Sequence, residues 1–208
     1  MYLIKYKGGE LGCPSGSIYG ELVGYNWNSN DYSDERFPKP PTVLNFLTDY
    51  EVFEPDFFYF GSEFICSEKM LKIITQFEHG AIDIVEVSVF LKAKGAKVKS
   101  DNKYALIRSR EIRSLLDADN SSFELRIDPR TGAIEQDSYH EGRYIYDLIS
   151  DFKLKKSVQS LDFFICSELL MEEYVFSPEL KQAIECSNMK GFKFSYIEDI
   201  VYDARLDF

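Results

Sequence analysis

The residues whose types could carry chemistry in this chain are two histidines, four cysteines, two serines placed ahead of helix-like runs, and several neighbouring carboxylates. His79 and His140 form no H-x-x-x-H pair and have no cysteine close by in sequence, so the short-spaced ligand set of a metal site is missing. Cys13, Cys66, Cys166 and Cys186 show no C-x-x-C spacing and read as reduced, mostly buried thiols. Ser67 and Ser177 would need an adjacent base to act as nucleophiles, and no His or Lys stands at a suitable spacing. Glu172-Glu173, Glu198-Asp199 and Asp117/Asp119 could do acid–base work or hold a divalent cation. Among 35 acidic residues such neighbours are expected on any solvated surface. His140, flanked by Tyr139, Glu141 and Arg143, is either a general base on an exposed loop or part of an aromatic protein-contact patch, and the interface preference for aromatics and arginine favours the contact patch. No catalytic residue, metal or cofactor follows from these residues.

The elements that must position them have a clear plan. Residues 2 to 6 alternate as a first strand, and the glycines at 8, 9, 12 and 16 lead into no recognisable helix, so they make no phosphate-binding loop. Residues 18 to 41 read as a long loop ending in the stiff segment Pro38-Lys39-Pro40-Pro41, and Thr42 is placed to cap a short helix over residues 43 to 50. Two segments about 110 residues apart then share one order: strand, serine, helix, glycine, strand. The first runs from Phe57 through Ser67 and Gly80 to Val87, the second from Phe163 through Ser177 and Gly191 to Ile197. Ser67 and Ser177 suit N-caps, Pro178 suits a first helical position, and Gly80 and Gly191 suit the helix ends. The pentapeptide Phe-Ile-Cys-Ser-Glu occurs at 64 to 68 and at 164 to 168, but the longer alignment pairs Ser67 with Ser177, making the short match coincidental.

Between the copies, residues 82 to 90 and 103 to 107 read as strands, 111 to 116 as a short helix, and 123 to 127 as a strand that turns at Asp128-Pro129-Arg130-Thr131-Gly132. Tyr144, Ile145, Leu148, Ile149 and Phe152 have amphipathic helical spacing. The expected fold class is α+β: a mixed sheet with a few short helices, two strand–Ser–helix–Gly–strand units, and a loop-rich N-terminal extension. The expected organisation is a single domain over 1–208, with 1–56 as the loop-rich part and 57–200 as the core.

Seventeen Phe and fourteen Tyr supply a large apolar interior, and the net charge of −11 disfavours nucleic acid as a partner and favours a cationic surface. Lys92, Lys94, Lys97, Lys99, Lys103, Arg108, Arg110 and Arg113 form one basic stretch, read as a solvated hairpin tip around Lys94-Gly95-Ala96. No apolar run is long enough to cross a bilayer and the first residues lack a signal peptide's apolar run, so no membrane partner and a cytoplasmic location are expected.

The second copy, with Asp162-Phe163-Phe164-Ile165-Cys166, then Val175-Phe176-Ser177-Pro178-Glu179-Leu180 and Lys190-Gly191-Phe192-Lys193-Phe194, resembles the immunity proteins of bacterial polymorphic toxin systems, types eleven and forty-three, related to a myxobacterial immunity domain. The earlier copy from Phe64 to Val87 and the central Lys103-Tyr104-Ala105-Leu106 fit the same pattern, so the resemblance covers residues 57 to 200. It implies a cytoplasmic, non-enzymatic inhibitor that binds a cognate bacterial toxin domain, which the acidic balance would suit if that toxin is basic. Candidate toxin contacts are Trp27, Tyr32, Asp34, Glu35, His140, Glu172, Glu173, Asp199 and Asp203. Two other readings stay open: a small-molecule or nucleotide enzyme with a pocket between the repeated units and His140 as base, and a self-associating scaffold such as a homodimer.

Overall fold

Ser67 and Ser177 each end a strand and start a helix. In the computed structural model, which describes residues 1–24, 43–93, 95–136, 143–156, 161–169 and 173–205, the Ser67 hydroxyl accepts the amide of Met70 at 3.2 Å and the Ser177 hydroxyl that of Leu180 at 3.1 Å. Both serines keep an extended backbone, the geometry that lets a side-chain oxygen satisfy an amide with no partner in the first helical turn.

Along the chain the first part holds β1 (Tyr2–Tyr6), β2 (Glu21–Val23), β3 (Val43–Leu47), β4 (Phe57–Phe60), β5 (Glu63–Ser67) and α1 (Glu68–Ile74). A long hairpin follows, β6 (Ile82–Ala93) with β7 (Ala96–Ser109), then β8 (Ile112–Arg113), β9 (Ser122–Leu125) and β10 (Tyr146–Asp151). The last part holds β11 (Phe163–Cys166), β12 (Tyr174–Phe176), α2 (Pro178–Glu185), β13 (Phe192–Tyr196), a 3-10 turn at Ile197–Asp199, and β14 (Tyr202–Asp203). The fold class is α+β and mostly strand.

The repeat read in the sequence is a repeat in space. One sheet contains the run β6-β7-β5-β4 and the other the run β13-β1-β12-β11. In each, a helix carries the chain from one strand to a parallel one across an antiparallel strand between them, a split β-α-β arrangement. The middle strand is β7 in the first unit but the N-terminal β1 in the second. Register agrees at a constant offset: Ile84 lies opposite Ile107, and Phe194 opposite Ile4. Met70 and Ile74 of α1 and Leu180 and Ile184 of α2 occupy matching buried positions. Strands β3 and β2 extend the first sheet beyond β6, β8 extends the second beyond β11, and β14-β10-β9 form a third.

The units are joined by a reciprocal clasp. Asp56, ahead of β4, donates its amide to the Lys190 carbonyl at 2.8 Å and accepts the Lys190 amide on its carboxylate at 2.9 Å. Asp162, ahead of β11, donates to the Glu78 carbonyl at 2.7 Å and accepts the Glu78 amide at 3.0 Å. Each aspartate thus holds the loop that follows the other unit's helix. Its carbonyl also takes the amide of its own unit's capping serine, Ser67 or Ser177, at 2.9 Å.

Strand alternation distributes the aromatics over three cores. Phe57, Phe64, Phe163, Tyr174 and Phe176 point between the units, together with Ile4, Ile107 and the buried faces of both helices. Phe58, Ile65, Leu106, Val85 and Val87 point to the far side of the first sheet, beside Phe46 and Phe53. Leu3, Phe164 and Val175 point to the far side of the second, where Ile149, Phe152 and Tyr202 cover them. Phe64 sits on the seam: its ring lies 4.8 Å from that of Tyr174, 5.6 Å from Phe163 and 4.8 Å from Phe57. At the start of β5, Glu63 and Arg108 of β7 form a buried ion pair at 2.5 Å, an arrangement that is costly to break by removing one partner.

Three expected helices are not formed. Residues 43 to 47 are β3, in parallel register with β6 from Val43↔Glu86 to Leu47↔Phe90, since their apolar positions serve a strand equally well once that partner is present. Thr42, their expected cap, lies outside the described residues. Residues 111 to 116 hold β8, parallel to β11, and a bridge from Leu116 to Leu154. Residues 146 to 151 are β10, whose pairing with β9 shifts register twice, between Tyr146 and Leu148 and between Ile149 and Asp151. Such irregularities change which face a strand residue points to and so imitate helical spacing. Gly80 and Gly191 are also not helix ends. The C-caps are Thr75 and Cys186, and each glycine begins the return to β6 or β13 at positive φ, 62° and 87°. A Cβ would meet Glu111 at Gly80 and Pro55 at Gly191.

With one core shared across the seam, Phe64→Ala should cost about 3–5 kcal/mol and leave a single urea transition reported identically by far-ultraviolet dichroism and tyrosine fluorescence. Two separated transitions would show that the units are stable independently.

Candidate functional site

Of the residues singled out in the sequence, Ser67 and Ser177 are helix caps, as described. Trp27, Tyr32, Asp34, Glu35, His140 and Glu172 lie outside the described residues. Glu173 is half-buried just ahead of β12, where its carbonyl accepts the Cys166 amide at 3.1 Å. Asp199 is exposed at the end of the 3-10 turn. Asp203, in β14, is held by the Arg205 guanidinium at 2.8 Å, which keeps its carboxyl below the usual aspartate range. Because Leu3 faces Val175 while Tyr2 faces Tyr196, Glu173 and Asp199 leave the second sheet from opposite ends and do not form one patch.

The basic stretch also separates. Its tip is the hairpin closed by Ala93 and Ala96, with Lys92, Lys97, Lys99 and Lys103 exposed, as expected of a solvated turn; Lys94 itself is outside the described residues. Lys97 binds Asp49 at 2.8 Å, and Arg108, Arg110 and Arg113 bind Glu63, Asp83 and Glu111. The space between the two repeated units, where an enzyme pocket was one reading, is occupied by the shared aromatic core.

A cleft of about 780 Å³ opens elsewhere, between the third sheet and the β8–β11 edge of the second. Strands β9 and β10 supply one wall, Phe123, Leu125 and Tyr146, with Tyr144 just ahead of β10; the Phe123 and Tyr146 rings meet edge to face at 5.3 Å. Ser114, Leu116, Asp117 and Asp119 supply the other side. At the floor, the turn after β11 places Glu168, 4% exposed. Its carboxylate accepts the Ser114 hydroxyl at 2.5 Å and the Leu115 amide at 3.1 Å, and the Cys166 thiol at 3.2 Å. Burial, then the Glu168 charge, pushes the Cys166 thiol well above its ordinary pKa. Burial likewise pushes the Tyr146 phenol up to about 12.

Among the described residues two cations reach the cleft and both are engaged. Lys155 donates to the Ser114 hydroxyl at 2.6 Å, and Arg143 donates to the carbonyls of Ser167 and Leu169. The arrangement is a tyrosine-walled groove with carboxylates at its rim and floor. Sequence reasoning missed it because Ser114 and Glu168 are 54 residues apart and become neighbours only when β8 joins β11. The one local signal was the repeated pentapeptide, which the structure resolves into two different roles. Ser67-Glu68 caps and starts α1, while Ser167-Glu168 turns after β11, and the counterpart of Ser67 is Ser177.

Glu198, beside Asp199, works structurally: it accepts the Leu154 amide and the Tyr196 hydroxyl, both at 2.9 Å. The Leu154 amide holds its carboxyl below the usual glutamate range; burial opposes this, and the Tyr196 hydroxyl adds a smaller lowering. A depressed folded pKa means that the unfolded chain binds more protons, so this stabilisation is present above about pH 4.3 and is lost as pH falls through the folded value. The difference in melting midpoint between the wild type and Glu198→Gln should therefore be largest at neutral pH and shrink as pH falls through and below the usual glutamate range. A gap that does not change with pH would contradict this role.

No curated protein matches the chain. A family model described as Immunity protein 43 matches residues 20–207, which takes in the first unit, the second apart from its middle strand β1, the clasp aspartates and every residue of the cleft. By that match the chain belongs to the Immunity protein 43 family.

Proposed function

We propose that this protein neutralises a cognate bacterial toxin domain in the cytoplasm by binding it in a stable equimolar complex, without chemical turnover. The family membership over residues 20–207 carries the reading. The construction of the chain supports it. The interior between the units is packed with aromatic side chains, and the described arginines are largely spent on internal partners such as Glu63, Asp83 and Asp147. A net charge of −11 then acts outward, toward a partner with a basic surface, for which it speeds encounter.

The test is co-expression with the toxin domain encoded beside this protein's gene, followed by co-purification. Rescue of growth together with an equimolar complex is the expected result, with an association rate that falls about tenfold or more from low to high salt while dissociation changes little. Failure of both rescue and co-purification by a folded protein would contradict the reading for that toxin.

A further inference from the structure

The geometry points to the cleft beneath Tyr144 as the place where the toxin docks, with a toxin arginine or lysine side chain entering between the tyrosines and the carboxylates. The inference rests on the reading above and adds to it a surface and a partner chemistry.

Apolar exposure is one line of argument. Phe123 and Leu125 wall the cleft from alternate positions of β9, and Ile127, two residues further on, is 57% exposed. Ile127 pairs directly with Ile134, itself 49% exposed, across the turn closed by the Asp128 amide and the Ala133 carbonyl. Tyr144 is 44% exposed beside them in the cleft wall. A directly opposed pair of exposed isoleucines continuing a half-buried aromatic wall is the composition of an interface core, which a folded chain otherwise keeps covered.

Charge decides which occupant fits. Asp117 and Asp119 stand at the rim and Glu168 at the floor, and among the described residues none of the three forms an ion pair. Among the described residues the Asp117 carboxylate accepts the neutral Asn120 side-chain amide at 2.9 Å. The cations that share the cleft, Lys155 and Arg143, already donate to oxygens of this chain. The groove therefore offers carboxylate oxygens and aromatic faces, which match a long side chain with an apolar stem and a cationic head. Three carboxylates against these two cations leave the lining net negative, which favours a cationic occupant over an acidic one. Arginine meets both requirements best, because its planar head stacks on a tyrosine ring while donating to a carboxylate.

The experiment measures binding of a catalytically inactive form of the adjacent-gene toxin domain to four proteins of equal thermal stability. These are the wild type, Asp117→Lys/Asp119→Lys, Tyr144→Ala, and Glu51→Lys/Glu86→Lys, the last making the same charge change at exposed sites elsewhere. Docking in the cleft predicts about 100-fold weaker binding for the aspartate pair and about tenfold for Tyr144→Ala, and less than about threefold for the control. Wild-type affinity in both cleft variants, or an equal loss in the control, overturns the cleft assignment while leaving the proposed function standing. If the wild type does not bind, the function and the assignment fall together.

Discussion

The structure depends on a seam. Neither unit closes its own core: Phe57, Phe64 and Ile107 of the first need Phe163, Tyr174 and Phe176 of the second, and both helices sink their buried residues into the same space. An aromatic interior of this kind is strongly favoured but has little direction of its own, because rings pack acceptably in several arrangements. Direction comes from the hydrogen bonds at its border. Asp56 and Asp162 each fix the loop after the opposite helix with two bonds, and the Tyr174 hydroxyl joins the Ile107 carbonyl at 3.0 Å. The buried Glu63–Arg108 pair locks β5 to β7 beside it. The result is a scaffold in which the outer sheets can present surface without contributing to the central packing.

How legible this was depended on range. Ser67 and Ser177 could be read as caps because a cap is a contact across three residues, and the strands around them because alternation of large side chains is local too. The return glycines were recognised as special, but their reason is tertiary: close approach to Glu111 and Pro55, not a helix end. The stretch from Tyr144 to Phe152 misled because two register shifts in β10 give a strand the spacing of a helix. What no local pattern contains is the partner of β1, which completes the second unit from the far end of the chain in the role that β7 plays in the first. The cleft was invisible for the same reason, since Glu168, Ser114 and Tyr144 have no sequence relation until three strands assemble around them.

Charge follows the same division between inside and outside. The positive side chains mostly finish bonds within the fold: Lys190 on Glu54, Arg126 on Asp147, Arg205 on Asp203, Arg143 on backbone carbonyls. Many carboxylates instead reach the surface, and at Asp117 and Asp119 they do so next to exposed apolar and aromatic groups. On the proposed reading, the energetic demands of folding and of recognition fall on different residues, the first on the seam and the second on the cleft.

The claim that a preformed body presents one docking surface is tested most directly by amide hydrogen exchange with and without the inactive toxin domain. The account predicts slowed exchange in residues 116–127 and 143–148 on binding, with the amides of β5 and β12 at the seam unchanged. Protection confined to other segments, or faster exchange at the seam as the units part to receive the toxin, would contradict it.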